Sequence, residues 1–238
     1  MSEYQFTVGN MECDYFFQFP PRRILERCLD ATLEDQHRDG CGLAELKEQF
    51  DAVWMISHMR ITQSDFIRPD DVITIRTTPR MEKRSCYFYY ADLFRGEEQV
   101  ARWECTYIPV YRVSHHILRL SLLEPLWNTP PMETTPSTMH RLRPDCEFVP
   151  CGSDTVRRSD CDKNLHMTSG AYVSLTCDAL GYWESETPRL MRSIQVDFSS
   201  EVYPGTPLRF VRGEADGVRY LRGIKPDGIV AFSAACEF

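Results

Sequence analysis

An internal repeat limits this chain more than any other feature. The stretch MRITQSDFIRPDDVITI can be laid on SIQVDFSSEVYPGTPLRF, with Ile61 over Val196, Pro69 over Pro204 and Ile73 over Leu208. The repeat extends to the order of predicted elements. In the first half Pro20 and Pro21 precede Ile24, Leu25, Cys28, Leu29 and Leu33 at helical spacing, which predicts a helix over about Pro21 to Gln36. Gly40 and Gly42 end it, and Leu43 to Lys47 adds a short helical turn. FDAVWMISHMRI, VITIRTTPR, SCYFYYADLF and QVARWECTYIPVYR then read as strands, the last two joined at Arg95, Gly96 and Glu97. The second half repeats this: a strand-like Glu147 to Arg157, a polar loop, a helix from about Met167 to Trp183, and four strands with turns at Asp216-Gly217 and Asp227-Gly228.

A helix followed by antiparallel strands is an α+β unit, with the sheet wrapped on the helix. Two such units can join their sheets edge to edge and keep both helices on one side. Three segments follow: residues 1–120, a Pro-rich linker over 121–146 expected to run extended across the surface, and residues 147–238. Residues 4–19, rich in Phe and Tyr, read as a further strand.

Composition excludes several classes of function. The 238 residues carry a formal net charge of -8, which opposes non-specific nucleic-acid binding. The start lacks the basic and apolar runs of a signal peptide, and no run of about 18 apolar residues occurs, so no membrane span is expected. The 10 Cys are scattered without CxxC, which reads as reduced thiols in the cytoplasm, with no structural metal.

The halves differ at one place. Arg157 to Tyr172, RRSDCDKNLHMTSGAY, crowds polar groups just before the second helix. One cap needs one Asp, Asn, Ser or Thr. Here Asp160, Asp162 and Asn164 alternate ahead of His166. The segment is either a capped loop with a surface His or an active-site loop at a helix N-terminus, where free N–H groups stabilise negative charge. The first half has Phe19, Pro20 and Pro21 before its helix, and Phe66 where the second has Glu201. This asymmetry predicts one site, carried by the second half and walled by the first.

The duplicated helix-in-sheet unit, with Asp160-Cys161-Asp162-Lys163-Asn164-Leu165-His166 opening the second helix and Tyr172 following, resembles the acyl-acyl-carrier-protein thioesterases of plants and bacteria. The likeness covers nearly the whole chain. It implies a tandem (double) hotdog, two long helices each wrapped by an antiparallel sheet, and hydrolysis of an acyl carrier protein thioester in fatty-acid biosynthesis. It implies catalytic roles for Asp162, Asn164, His166 and Glu201, with no cofactor beyond the phosphopantetheine of the substrate's own carrier protein. The backbone N–H groups of Met167 and Thr168 are then candidates for the oxyanion hole. Two departures stand out. The family commonly has two Asn shortly after the His, where this chain has Thr168 and Ser169; many plant members have Cys directly after the Glu, where this chain has Val202. Val202 cannot attack, so the resemblance implies attack by water.

An acidic carrier protein docking on an acidic chain needs a local positive surface, for which Arg157, Arg158, Lys163, Arg189 and Arg192 are candidates. The fatty acyl chain would extend into the first half. An acyl-CoA thioesterase on the same fold and a non-catalytic acyl-binding protein are the alternatives. Whether the chain pairs further into a homodimer stays open.

Overall fold

The computed structural model describes residues 2–82, 86–128, 131–133 and 139–238. Ser85, at the expected start of one strand, and Pro130 and Pro136 of the linker lie outside the described residues. The first half contains β1 (Ser2–Thr7), α1 (Pro21–Arg38), α2 (Leu43–Phe50), β2 (Ala52–Gln63), β3 (Val72–Glu82), β4 (Cys86–Arg95) and β5 (Glu98–Tyr111). A short β6 (Met132–Glu133) follows in the linker. The second half contains β7 (Val149–Thr155), α3 (Ser169–Ala179), β8 (Ser193–Phe198), β9 (Pro207–Ala215), β10 (Val218–Ile224) and β11 (Val230–Glu237).

The strands form one sheet in the order β1-β3-β4-β5-β2-β8-β11-β10-β9-β7, with β6 added parallel to β3. The order reads the same from either edge once each strand is replaced by its repeat partner. The seam between halves is the antiparallel pair β2 and β8, where Arg60 faces Gln195. The alignment that lays Ile61 on Val196 also lays His58 on Ser193 and Thr62 on Asp197. His58 pairs with Asp197 and Thr62 with Ser193, so each pair is the image of the other about an axis through Arg60 and Gln195. This is a double hotdog.

Both helices lie on one side of the sheet, as period-2 and period-3.6 burial require. α1 buries Ile24, Leu25 and Cys28, and α3 buries Tyr172, Val173 and Cys177. Tyr172 stands edge-on between Phe198 at 5.1 Å and Phe232 at 5.0 Å, tying α3 to β8 and β11. The helices also pack on each other: Arg22 Nη1 donates to Ser174 Oγ at 3.4 Å, and a Cβ on Gly170 would meet Glu26 at 3.1 Å. These contacts are again related by the pseudo-two-fold.

Three sequence expectations shift. The strand expected over residues 4–19 stops at Thr7, because the chain turns into a 3₁₀ helix (Asn10–Glu12) and a tight loop. The second helix is shorter than Met167 to Trp183: it ends at Ala179, and Gly181 at φ 75° turns the chain into a 3₁₀ turn (Tyr182–Glu184). The 121–146 segment is partly folded onto the body, with 3₁₀ turns at Leu120–Leu122 and Glu124–Leu126 and buried Leu123 and Met139. Gly40, at φ 80°, accepts it closely, since a Cβ there would sit 2.4 Å from the Leu126 carbonyl oxygen.

Candidate active site

The loop before α3 is built by Asp162. Its Oδ1 accepts the backbone N–H of Asn164 at 2.8 Å and of His166 at 3.1 Å, and its Oδ2 accepts Asn164 Nδ2 at 3.2 Å. Asp162 N–H donates to the His166 carbonyl at 2.9 Å, closing the turn with Leu165 at φ 62°. Leu165 therefore points outward and is 56% exposed, while Asn164 and His166 are aimed by backbone bonds. Asp160 works one step earlier: its Oδ2 accepts the Arg157 N–H at 2.8 Å. Thr168 caps α3, its Oγ1 accepting the Ala171 N–H at 3.2 Å.

Glu201 arrives from the connection between β8 and β9. Its Oε2 lies 3.6 Å from His166 Nε2, both side chains about one-third exposed. Asp162, Asn164, His166 and Glu201 thus come together at the start of α3. Met167 and Thr168 enter it differently from expectation. The Met167 N–H donates to the Val202 carbonyl at 2.9 Å and the Thr168 N–H to the Asp160 carbonyl at 2.8 Å. Both donors are occupied, the first in fixing the loop to the β8–β9 connection and the second in closing the loop on itself. With the Ala171 N–H taken by the Thr168 cap, the first-turn N–H groups that have no partner among the described residues are those of Ser169 and Gly170.

Tyr203 was not apparent as a site residue. Its hydroxyl donates to Glu201 Oε2 at 2.7 Å, and its ring stands edge-on to the His166 ring at 5.2 Å. The hydrogen bond to Glu201, with some burial and the carboxylate's charge, pushes the Tyr203 hydroxyl's pKa up, so it stays a donor. The i, i+2 spacing of Glu201 and Tyr203 around buried Val202 was the available signal. Cys161 lies in the same loop, but desolvation and the neighbouring Asp160 and Asp162 push its thiol above the usual range, the wrong direction for a nucleophile.

The charged candidates divide. Arg157, Arg158 and Lys163 are exposed beside the loop. Arg189 and Arg192 instead line a surface cleft of about 440 Å³ with Glu214, Arg219 and Phe238. That cleft is at the Ala215 end of β9, whereas the loop is at its Pro207 end, ~25 Å away along the strand.

The first half contains a copy of the site loop, contrary to the expectation that Phe19, Pro20 and Pro21 replace it. The Asp14 N–H donates to the Gln18 carbonyl at 2.8 Å, and Asp14 Oδ1 accepts the N–H of Phe16 at 2.8 Å and of Gln18 at 3.0 Å. Phe17 has φ 56°, and the Phe19 N–H donates to the Ile67 carbonyl at 2.8 Å. Each of these matches a bond of the Asp162 loop. The copy keeps the turn and lacks the chemistry: Phe16 stands for Asn164, Gln18 for His166, Phe66 for Glu201 and Arg68 for Tyr203. Glu12-Cys13-Asp14 against Asp160-Cys161-Asp162 was the sequence signal for it.

No protein-family model matches this chain, and no curated protein matches it in sequence. Solved structures do match. An acyl-ACP thioesterase from Bacteroides thetaiotaomicron superposes with a TM-score of 0.83 at 17% identity, covering 100% of this chain and 97% of that one. The chain has the fold of the acyl-ACP thioesterases. The 12:0-ACP thioesterase from Umbellularia californica superposes with a TM-score of 0.78 at 13% identity, covering 99% of this chain and 96% of that one. Among the described residues no helix is long and apolar enough to cross a membrane.

Proposed function

We propose that this protein hydrolyses the thioester of an acyl group carried on acyl carrier protein, releasing the free acid in fatty-acid biosynthesis in the cytoplasm. The observation that carries this reading is the meeting of His166 with Glu201 at 3.6 Å, beside an Asp162-oriented Asn164, in front of a helix N-terminus. Glu201 polarises a water and takes its proton as the oxygen adds to the thioester carbon. The resulting oxyanion is stabilised by the Ser169 and Gly170 N–H groups, the free donors of the α3 start. Asn164, held by Asp162, orients the water or the carbonyl. As the C–S bond breaks, His166 delivers a proton to the leaving thiolate. Tyr203 holds Glu201 in place.

The only prosthetic group in this scheme is the phosphopantetheine that bears the acyl group on its carrier. Arg157, Arg158 and Lys163, exposed beside the loop, supply the positive surface an acidic carrier needs. Arg189 and Arg192 are too far along β9 to share that footprint. The test is hydrolysis of matched acyl-carrier-protein and acyl-CoA esters, with His166→Ala as control. Faster turnover of the carrier-protein esters, lost in the variant, supports the reading. Faster turnover of the CoA esters moves the protein to the acyl-CoA class, and no turnover of either overturns hydrolysis.

A further inference from the structure

The cleft at the Ala215 end of β9 concentrates positive charge in a chain whose formal net charge is -8. Arg189, Arg192 and Arg219 line its volume of about 440 Å³, and Glu214 brings the one carboxylate side chain among the lining residues. Arginines of the first half such as Arg27, Arg60, Arg95 and Arg102 lie within ion-pair distance of a carboxylate. Among the described residues Arg189 and Arg192 have no carboxylate partner. Arg219 reaches Glu214 only at 3.8 Å, and the Glu214 side chain is 63% exposed to competing water. Like charges gathered without counter-charges repel, and an anion in the cleft relieves that repulsion. The position of Arg189 and Arg192 along β9 leaves them no part in the proposed reaction at the Asp162 loop.

Two of the guanidiniums are held in place. Arg189 Cζ lies 5.2 Å and Arg219 Cζ 5.1 Å from the centroid of the Phe238 ring. That ring in turn stacks on buried Tyr182 at 6.3 Å. Arg219 Nη1 also donates to the Leu180 carbonyl at 2.8 Å, at the C-terminal end of α3, where a cation suits the helix dipole. The cleft therefore lies at the opposite end of α3 from the Asp162 loop. Side chains fixed before a ligand arrives lose less entropy when it binds. Pro188 and Leu190 join Phe238 in giving the cleft apolar surface beside its charges.

We propose that this cleft binds the phosphate group of a small organic phosphate ester. One guanidinium is enough to grip a carboxylate through two parallel hydrogen bonds. Three guanidiniums lining one cleft exceed that need. Their planar forks suit the several oxygens and the nearly double negative charge of a phosphate monoester at neutral pH. Pro188, Leu190 and Phe238 cover the organic part, and the volume of about 440 Å³ lies within the range of small-molecule sites. The assignment neither uses nor tests the thioesterase reading, so the two can fail separately.

The test is calorimetric titration of the full chain with phenyl phosphate, inorganic phosphate and benzoate, at physiological ionic strength so that loose attraction is screened. Phenyl phosphate is expected to bind about fivefold or more tighter than inorganic phosphate, through its buried ring. It is expected to bind about tenfold or more tighter than benzoate, through its extra charge and oxygens. Arg189→Gln and Arg192→Gln are each expected to weaken phenyl phosphate about fivefold or more. Glu214→Gln removes the cleft's carboxylate side chain and is expected to tighten binding about two- to fivefold, a gain that damage to the fold cannot imitate. Arg157→Gln, beside the Asp162 loop, is expected to leave the affinity as it is. Absence of phenyl phosphate binding at millimolar concentration overturns the proposal, as does equal binding of benzoate or of inorganic phosphate. So does an affinity that is unchanged in both Arg189→Gln and Arg192→Gln, or that is lost in Arg157→Gln.

Discussion

Tyr203→Phe removes one oxygen from the candidate site and leaves the ring against His166. The deleted bond is an O–H donor 2.7 Å from a carboxylate oxygen, the same Oε2 that lies 3.6 Å from His166 Nε2. A hydrogen bond to a charged group is worth about 1.5–3 kcal/mol when shielded from water. Tyr203 is 48% exposed, so water competes for the carboxylate and the effective value falls to about 0.5–1.5 kcal/mol. If the bond serves to hold Glu201 for the attacking water, kcat falls about 2- to 12-fold. KM stays near the wild-type value, because the phenol does not hold substrate. The assay is steady-state hydrolysis of one good thioester at a fixed neutral pH, on wild type, Tyr203→Phe and Tyr203→Ala. Tyr203→Ala also loses the ring contact with His166 and falls further. An unchanged kcat in Tyr203→Phe would show that the hydrogen bond does nothing for catalysis, and the positioning argument would fail.

Other outcomes follow from the same geometry. Glu201→Gln and His166→Ala each lower kcat by about 10²-fold or more, measured with saturating substrate; activity near wild type in either removes that residue from the mechanism. Thr168→Ala loses the α3 cap and about 1 kcal/mol, which calorimetry reads as a fall of roughly 2–4 °C in Tm. Phe232→Ala opens a cavity against Tyr172 and costs about 3–5 kcal/mol in a denaturant titration. His58, at the seam, has its pKa lowered chiefly by burial. Its neutral form is the folded one, so its contribution to stability is present above the unfolded value of about 6.5 and lost as pH falls through the lower folded value. His58→Gln should flatten the fall in Tm below that pH.

Much of the candidate site was legible because its signals are local. Asp162, Asn164 and His166 sit within one turn, and a turn held by one Asp side chain can be read from the spacing of its residues. Thr168 at a helix start is equally local. The loop copy at Asp14 escaped because the halves change register: α1 runs 18 residues and α2 follows, where α3 runs 11, so the alignment that fits the strands misplaces the loops. Its aromatic residues then passed for a strand.

The sequence by itself determined the repeated α+β unit, the strand and helix periods, and the polar loop at the start of the second helix, since all depend on neighbours a few residues apart. The tertiary structure decided which edges join and in what register. That depends on the faces both halves bury together, which no single stretch records. Within the second half, packing of the β8–β9 connection on the loop before α3 brings Glu201 and Tyr203 to His166 and commits the Met167 N–H to the Val202 carbonyl. It also leaves Arg189 and Arg192 at the far end of β9.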